Sequence, residues 1–236
     1  LNVSHKDLNA MYPEYDRLVK MGRIVEIDKR VKQFIMRYAD GIIVNVGAEL
    51  DTMFSRMDNG RIRWYNVDMP ETMELRRRML ESKDREQNIG KSILDFTWLD
   101  SVKKNQGEAI LFVCCDVTKY FTTKKLQAFL DAIWQRFPGA EVLFDVKNSV
   151  GRKQANLKVL TGKKKGSFIK VSIDNCTSLM YDWNIKYRVL YDRAILNKED
   201  ITDMFSDDVA RRYRHAIRRK YDKIIQLRLG TERIQF

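Results

Sequence analysis

The sequence has few cysteines and histidines, and this scarcity narrows the classes of protein it can belong to. Its three cysteines are Cys114, Cys115 and Cys176, an odd number in which two are adjacent. Adjacent cysteines bridge each other with difficulty, so we expect reduced thiols and a cytoplasmic protein. His5 and His215 are the only histidines, and no Cys or His spacing typical of a zinc site is present. We therefore expect no metal site.

Long hydrophobic runs are also missing, as are repeats and low-complexity segments. No run of about 18 apolar residues is present, which argues against a membrane span. Residues 1–11 lack the apolar core of a signal peptide, so secretion is not predicted. Proline occurs 3 times and glycine 11 times in 236 residues, of which 44% are hydrophobic. These values predict one compact α/β domain over residues 1–236, with residues 1–22 forming an N-terminal arm.

Basic residues are in excess, giving a formal net charge of +12. They concentrate in residues 158–165 and 211–220, and in the second stretch apolar residues recur every fourth position at Val209, Tyr213 and Ile217. This spacing predicts an amphipathic helix whose basic residues face solvent. Nucleic acid, or an acidic substrate or partner, would also suit such a charge, so these alternatives remain open. We favour the solvated face and do not expect nucleic acid to be bound.

The most informative stretch is residues 41–54, which reads as a buried strand running into a turn of small residues. Ile42 to Val46 is rich in β-branched residues, as in the centre of a parallel sheet. Gly47 and Ala48 then leave the backbone nearly bare where the strand ends. In α/β sheets a nucleotide-like ligand approaches the backbone at this place.

A second apolar strand, Ile62 to Val67, follows about twenty residues on and ends at Asp68. A carboxylate at the tip of the second strand can accept hydrogen bonds from both hydroxyls of a ribose. The two features together predict that the chain binds a nucleotide-like cofactor.

Several motifs resemble the leucine carboxyl methyltransferase family, and the bacterial branch of O-methyltransferases in particular. The similarity extends from about Arg23 to Gly230. The first motifs are residues 44–48 with Leu50-Asp51-Thr52, residues 64–71, and Glu74 to Arg77. Residues 92–100, Tyr120-Phe121 and residues 137–140 are most similar to the bacterial branch.

The resemblance implies a Rossmann-like, S-adenosylmethionine-dependent methyltransferase fold: a mostly parallel seven-stranded sheet with one antiparallel strand and helices on both faces. It also implies that Arg23 holds the methionine carboxylate, that Leu94 and Asp95 lie beside the adenine, and that Tyr120 stands at the mouth of the catalytic pocket. Family members carry more sequence before the first helix, so residues 1–22 would be part of a shortened lid. The remaining cofactor-binding residues implied are Gly47, Ala48, Glu49, Asp51, Asp68, Met69 and Cys115.

The other elements follow from periodicity. Apolar spacing predicts a first helix marked by Ile24 to Tyr38, and Pro70 suits the first turn of a helix reaching about Leu80. A third helix is predicted from Leu126 to Phe137, and Trp98 is expected in the core. Further strands are predicted at Ile89–Leu94, Ala109–Cys115, Val142–Phe144 with Asp145 at its tip, Phe168–Ile173 at an exposed edge, Ile185–Tyr191 and Lys223–Leu229.

Three departures from the family pattern fall in the cofactor pocket. Glu49 replaces the second glycine of a Gly-Ala-Gly turn, Met53 replaces an arginine, and Cys115-Asp116 stands where the family has Glu-Gly. We expect an S-adenosylmethionine-dependent O-methyltransferase acting on a carboxylate or acidic hydroxyl of a small molecule or protein. The alternatives are a catalytically silent homologue that acts as a binding module, and a nucleic-acid-modifying methyltransferase. The sequence leaves the acceptor and the oligomeric state open.

Overall fold

The architecture is a seven-stranded sheet with helices on both faces, and it confirms the predicted fold class. A computed structural model describes residues 14–81, 83–162, 166–195 and 207–230. The strands are β1 (Ile42–Val46), β2 (Arg63–Asp68), β3 (Glu86–Gly90), β4 (Ile110–Cys114), β5 (Glu141–Lys147), β6 (Tyr187–Ala194) and β7 (Asp222–Leu229). Their order in the sheet is β3-β2-β1-β4-β5-β7-β6, and β7 runs antiparallel to both of its neighbours.

One helix of the described residues precedes β1, and the others lie in the connections between the strands. The helices are α1 (Glu14–Arg37), α2 (Met53–Met57), α3 (Pro70–Met79), α4 (Thr123–Arg136), α5 (Ser149–Leu160), α6 (Cys176–Trp183) and α7 (Asp207–Arg219). Two short 3₁₀ helices, Phe96–Ser101 and Thr118–Tyr120, follow β3 and β4. Side chains at the strand ends are therefore positioned by short connections, which is where α/β folds place their ligands.

Two apolar clusters cover the two faces of the sheet. Alternate residues of β1 point to opposite faces, so Ile43 joins one cluster while Ile42 and Val44 join the other. α1, α2 and α7 pack on the Ile43 face, whereas α4, α6 and the first 3₁₀ helix pack on the opposite face. Trp98 is fully buried on that second face, as predicted.

Helix α7 confirms the predicted amphipathic helix near the end of the described chain. Val209 and Tyr213 are buried, while the basic residues of the same helix are exposed. Asp208 in the first turn forms ion pairs with Arg211 and Arg212. The basic residues of α7 therefore face solvent, as its amphipathic spacing predicts. The other basic stretch falls partly outside the described residues, because residues 163–165 are not among them.

The structure corrects several predicted boundaries. β3 ends at Gly90, so Leu94 and Asp95 lie in the following turn rather than at the tip of a strand. β5 is longer than predicted and contains Asp145, which was expected at its tip. Residues 168–173 form no strand, and the alternation there arises because Val171 and Ile173 are buried while their neighbours face solvent. β6 begins two residues later than expected and extends to Ala194.

The predicted N-terminal arm is only partly described. Residues 1–13 lie outside the described residues, while Glu14 onward belongs to α1 without interruption. Val19 is buried, and Val19, Ile27 and Val31 all join the cluster on the Ile43 face. The described part of the arm is therefore continuous with the first predicted helix.

Candidate active site

The carboxyl ends of four neighbouring parallel strands bring three of the predicted cofactor residues into one row. Asp68 on β2 is paired with Gly90 on β3, and the β1–β2 register, continued by one residue, places Gly47 beside Asp68. The β4–β5 register, continued by one residue, places Asp145 beside Cys115, and the β1–β4 register, continued by two residues, places Cys115 beside Gly47. The row Asp68, Gly47, Cys115, Asp145 is the framework of the candidate site.

The turn after β1 is held in an unusual backbone conformation. Gly47 has φ +72°, and a Cβ at this position would lie 2.4 Å from Cγ2 of Val117, so a larger residue would not fit. Ala48 is buried, and its amide, like that of Gly47, donates to the carbonyl of Val67. Glu49 is exposed and has φ +42°, a left-handed conformation that glycine adopts far more readily. The turn therefore keeps a glycine-like geometry although Glu49 has replaced the expected glycine.

Asp68 closes this turn from the side of β2. Its Oδ2 accepts a hydrogen bond of 2.9 Å from the amide of Glu49, and its Oδ1 accepts one of 2.7 Å from the amide of Met69. A carboxylate has about four acceptor sites, so each oxygen keeps capacity for one more donor. The two backbone bonds orient the carboxylate, and the remaining sites suit the two hydroxyls of a ribose.

Arg76 is a buried arginine whose side chain also holds the turn after β1. Arg76 on α3 donates to the carbonyl of Asp51 at 2.7 Å and to that of Glu49 at 3.2 Å. Its other terminal nitrogen pairs with Glu86 on β3 at 2.9 Å, and both side chains are less than 10% exposed. The carboxylate of Asp51 instead accepts from Arg56. Arg76 lies in the motif Glu74 to Arg77 that resembles the family, but no separate role was predicted for it.

Met69 and the two residues predicted beside the adenine, Leu94 and Asp95, follow the ends of β2 and β3. Met69 and Leu94 are 46% and 37% exposed, which is more than an apolar side chain in a core would be. Asp95 caps the first 3₁₀ helix by accepting from the amide and hydroxyl of Thr97, and these bonds lower the pKa of its carboxyl. Asp95 is thus already engaged in local structure, whereas Met69 and Leu94 present free apolar surface.

A second centre lies at the ends of β4 and β5, around Arg23. Its Nη1 is 2.8 Å from Oδ1 of Asp116, and its Nε is 3.0 Å from Oδ2 of Asp145. The Nε of Arg23 is buried and not aligned for a hydrogen bond, although the distance is short. Asp116 has φ +59°, and its amide donates to Oδ1 of Asp145 at 2.6 Å. No role in binding was predicted for Asp116 or Asp145 from the sequence.

The charges of this centre influence one another. Burial raises the pKa of the Asp145 carboxyl, and Arg23 opposes that effect. Burial also works against ionisation of Asp116, but Arg23 and Lys119 outweigh it, so the pKa of the Asp116 carboxyl is lowered. The guanidinium of Arg23 would lose basicity through burial, yet Asp145 and Asp116 raise its pKa. The centre therefore contains a cation fixed between two carboxylates.

Two further predicted residues flank Asp116. Cys115 is half-buried, and burial, followed by the charge of Asp145, raises the pKa of its thiol to about 12. A neutral thiol there supplies no charge for a ligand. Tyr120 is 55% exposed, and the ammonium of Lys119 lies 5.0 Å from the centre of its ring. Tyr120 thus stands at the surface, as expected of a residue at the mouth of a pocket.

A cavity of about 400 Å³ opens beside this centre, between α1 and α5. Arg23, Asp116, Asp145 and Tyr120 line it, whereas Gly47 and Asp68 lie outside it. The predicted ribose end of the site therefore lies outside this cavity, which is at the opposite end of the row. Further lining residues are Asp16, Val19, Lys20, Lys147, Asn156, Lys158, Val159, Ile169 and Val171.

The described residues contain no group of three or more His, Cys, Asp or Glu side chains that could hold a metal ion. No helix in the described ranges is both long and apolar enough to pass through a lipid bilayer.

Comparison with known proteins connects this geometry to methyl transfer. The profile of the family described as leucine carboxyl methyltransferase matches residues 9–134, more than half of the chain. The chain is also 28% identical over 124 residues to the tetracenomycin polyketide synthesis O-methyltransferase TcmP of Streptomyces glaucescens. That alignment covers 52% of this chain and 45% of TcmP, so the chain spans less than half the length of this relative.

Solved structures share the fold at low sequence identity. A proposed methyltransferase from Thermobifida fusca has a TM-score of 0.67 at 10% identity, with 94% of this chain and 85% of that chain covered. Magnesium protoporphyrin IX methyltransferase from Synechocystis, solved with S-adenosylhomocysteine, has a TM-score of 0.55 at 10% identity, covering 90% and 86%. Human N-acetylserotonin methyltransferase, solved with S-adenosylmethionine, has a TM-score of 0.55 at 12% identity, covering 97% and 61%.

Proposed function

Because the chain belongs to the leucine carboxyl methyltransferase family, we propose that it is an S-adenosylmethionine-dependent O-methyltransferase whose acceptor is a carboxylate or an acidic hydroxyl. The observation that carries the proposal is the row of strand ends from Asp68 to Asp145, which has an oriented carboxylate at one end and the charged centre around Arg23 at the other. The cofactor supplies an electrophilic methyl group on a sulfonium.

The described residues suit the nucleoside end of the cofactor. Asp68 is oriented by two backbone amides and would accept the ribose hydroxyls with its remaining lone pairs. Met69 and Leu94 would cover the faces of the adenine with their exposed apolar surface. Gly47 brings bare backbone to the centre of the row, where the ligand would cross from β2 to β4.

The opposite end of the row suits the amino acid part and the acceptor. Arg23 would bind the methionine carboxylate, and the cavity between α1 and α5 would admit the acceptor past Tyr120. Methyl transfer is an in-line displacement, so most of the rate must come from positioning the two reactants. A carboxylate is already a nucleophile at neutral pH, whereas a hydroxyl of ordinary acidity needs a base within hydrogen-bond reach.

Two of the three departures from the family pattern leave the geometry of the site intact. Glu49 keeps the left-handed turn, and Met53 is buried in the cluster under α1, where it contributes apolar contacts instead of charge. The absence of a carboxylate at Cys115 does change the site, because that thiol stays neutral at ordinary pH. The conformation at Glu49 and the burial of Met53 favour an active enzyme over a silent homologue, whereas the change at Cys115 does not.

The test is a transfer assay with S-adenosylmethionine labelled on its methyl group and a panel of carboxylic acids, phenols and amines. We expect label in a product that releases methanol on mild base treatment if it is an ester, or that is stable if it is an aryl ether. Label only in amines would contradict oxygen specificity. Cofactor binding without transfer to any acceptor would favour the silent homologue, and transfer to RNA would favour the nucleic-acid-modifying alternative.

A further inference from the structure

Side chains of two kinds line the cavity between α1 and α5. Charged groups, among them Arg23 and Asp116, lie at the strand ends. Apolar groups come from β5, from the two helices and from the segment that follows α5: Val19, Val146, Ala155, Val159, Ile169 and Val171. The volume of about 400 Å³ falls within the range of about 300–1,000 Å³ that is typical of small-molecule sites. The cavity therefore suits a small molecule whose body is apolar.

The segment that supplies part of this apolar lining is fixed in place. The side chain of Asn156 on α5 donates to the carbonyl of Ile169 at 3.0 Å and accepts from its amide at 2.8 Å. The amide of Ile173 donates to the carbonyl of Lys147 on β5 at 3.0 Å. Val171 lies between these two attachments and is 1% exposed. The apolar lining is therefore formed before a ligand binds, which reduces the ordering cost of binding.

Positive charge is in excess in the cavity. Among the described residues that line it, five are cationic and four carry carboxylates. The amino acid part of S-adenosylmethionine adds one charge of each sign, and its sulfonium adds one further positive charge. An acceptor with a single anionic oxygen would thus leave one positive charge uncompensated, so the loaded site favours an acceptor with a second anionic group. The cations are Lys20, Arg23, Lys119, Lys147 and Lys158, and the carboxylates are those of Asp16, Asp116, Asp145 and Asp222.

Lys158 is placed to bind such a second group. Its Nζ lies 3.5 Å from Oδ1 of Asp16 on α1, which is longer than the contacts of 2.8 and 3.0 Å that Arg23 makes with its carboxylates. An ammonium has three donors, so Lys158 can pair with an anion while it remains near Asp16. Asp16 precedes Arg23 by seven residues on α1, which corresponds to about 10 Å along the helix axis. An anion bound by Lys158 is therefore separate from the oxygen that would receive the methyl group near the strand ends.

We propose that the acceptor is a small organic acid with an apolar body and a second anionic group, and that Lys158 determines this specificity by binding that group at the outer end of the cavity. This inference rests on the proposed function. The apolar body contacts Val159 and Val171, and the oxygen that receives the methyl group points toward the strand ends.

The experiment uses two fluorescent probes that differ in one charge. 8-Anilino-1-naphthalenesulfonate and N-phenyl-1-naphthylamine have the same aromatic body, but only the first carries a sulfonate. Their dissociation constants are measured by fluorescence titration for the parent protein, Lys158→Gln, Val159→Asn and the control Lys153→Gln. Glutamine keeps much of the aliphatic stem of lysine and removes its charge. Lys153 is an exposed lysine of the same helix that is not among the lining residues.

The parent protein should bind the sulfonate probe more tightly than the neutral one. We expect Lys158→Gln to weaken the sulfonate probe roughly threefold to tenfold and to change the neutral probe less than about twofold, because a partly exposed ion pair is lost. Val159→Asn should weaken both probes, since a polar amide replaces apolar surface. Lys153→Gln should change neither.

Equal weakening of both probes by Lys158→Gln, or no weakening of the sulfonate probe, would overturn the inference. So would a parent protein that binds neither probe or binds both equally well. Weakening of the sulfonate probe to the same extent by Lys153→Gln would indicate attraction to the surface as a whole and would also overturn it. The proposed function is tested separately by titrating the parent protein with S-adenosylhomocysteine. Failure of that ligand to bind rejects the proposed function, whereas its binding together with no effect of Lys158 on the sulfonate probe rejects the inference alone.

Discussion

Asp68 combines a structural and a binding role in one carboxylate. Its two backbone hydrogen bonds join the turn after β1 to the start of α3, and each carboxylate oxygen retains an acceptor site for a ligand. Such a group is oriented before the ligand arrives, which reduces the ordering cost of binding.

Replacing Asp68 by alanine should therefore weaken S-adenosylmethionine binding by roughly 1.5–3 kcal/mol, because a charged hydrogen-bonding group is removed. The measurement is a calorimetric titration, with the fold checked by circular dichroism. Asp84→Ala, at an exposed carboxylate outside the site, is the matched control. Unchanged affinity in a folded Asp68→Ala protein would remove the ribose assignment.

Glu49 offers a test of backbone strain. Since its φ is +42°, Glu49→Gly should raise the free energy of unfolding by about 0.5–1 kcal/mol. Leu50→Gly is the control, because Leu50 is exposed and is not among the left-handed residues, so glycine there should lower stability. Urea denaturation measures both. Destabilisation by Glu49→Gly would mean that the glutamate side chain contributes more than the strain costs.

At the scale of elements, α3 serves as a brace between β3 and the turn after β1. Arg76 connects Glu86 with the carbonyls of Glu49 and Asp51, and no shorter or single-headed cation can make all three contacts. The geometry of the turn after β1 therefore depends on the buried guanidinium of Arg76 as well as on the carboxylate of Asp68.

We expect Arg76→Lys to lower the free energy of unfolding by about 1–3 kcal/mol, since the lysine leaves buried acceptors unsatisfied. Arg77→Lys changes the neighbouring, half-exposed arginine in the same way and should have an effect within about 0.5 kcal/mol. Both are measured by urea denaturation. Equal effects of the two substitutions would show that the brace contributes no stability.

The elements that were predicted accurately from the sequence are those whose buried positions are occupied by apolar residues. β1, β4 and α4 were placed within a few residues because burial dictates β-branched runs and a broad apolar stripe. β3 was placed too late, because its core-facing Asn88 and Glu86 are polar and are satisfied by the side chain of Asn66. Such a polar ladder resembles a loop in sequence, whereas the apolar Ile93 and Leu94 after it resemble a strand.

The candidate site shows the same division. Asp68 and Gly47 were predictable because their positions relative to apolar strands are characteristic of nucleotide-binding folds. The pairing of Arg23 with Asp116 and Asp145 was not, since it joins three residues distant in sequence through tertiary contacts. The role of Arg76 was not predicted either, because the sequence alone does not distinguish a buried arginine from an exposed one.

At the scale of the whole molecule, both apolar clusters share the strands of one sheet. β1 contributes Ile43 to one cluster and Ile42 to the other, so the strands that one cluster packs on are the same strands that the other cluster needs in order to form. This arrangement predicts that the described fold unfolds as one cooperative unit.

Tryptophan positions allow a direct test. Trp64 belongs to the cluster under α1, whereas Trp98, Trp134 and Trp183 belong to or pack against the other. In Trp64→Phe, fluorescence therefore reports on one face and far-ultraviolet circular dichroism on the whole chain. We expect their urea midpoints to coincide. Separate midpoints would indicate that the two faces unfold independently.

The order of strands also has a consequence for synthesis. β7 is the last of the seven strands in the chain, yet it lies between β5 and β6 and pairs with both. While the ribosome is still translating residues before Asp222, β5 has an unpaired edge and β6 has no neighbour to join the sheet. Unpaired strand edges are sites of aggregation. A nascent chain stalled at that stage would be a substrate for chaperones, and its release as a folded protein must await the arrival of β7.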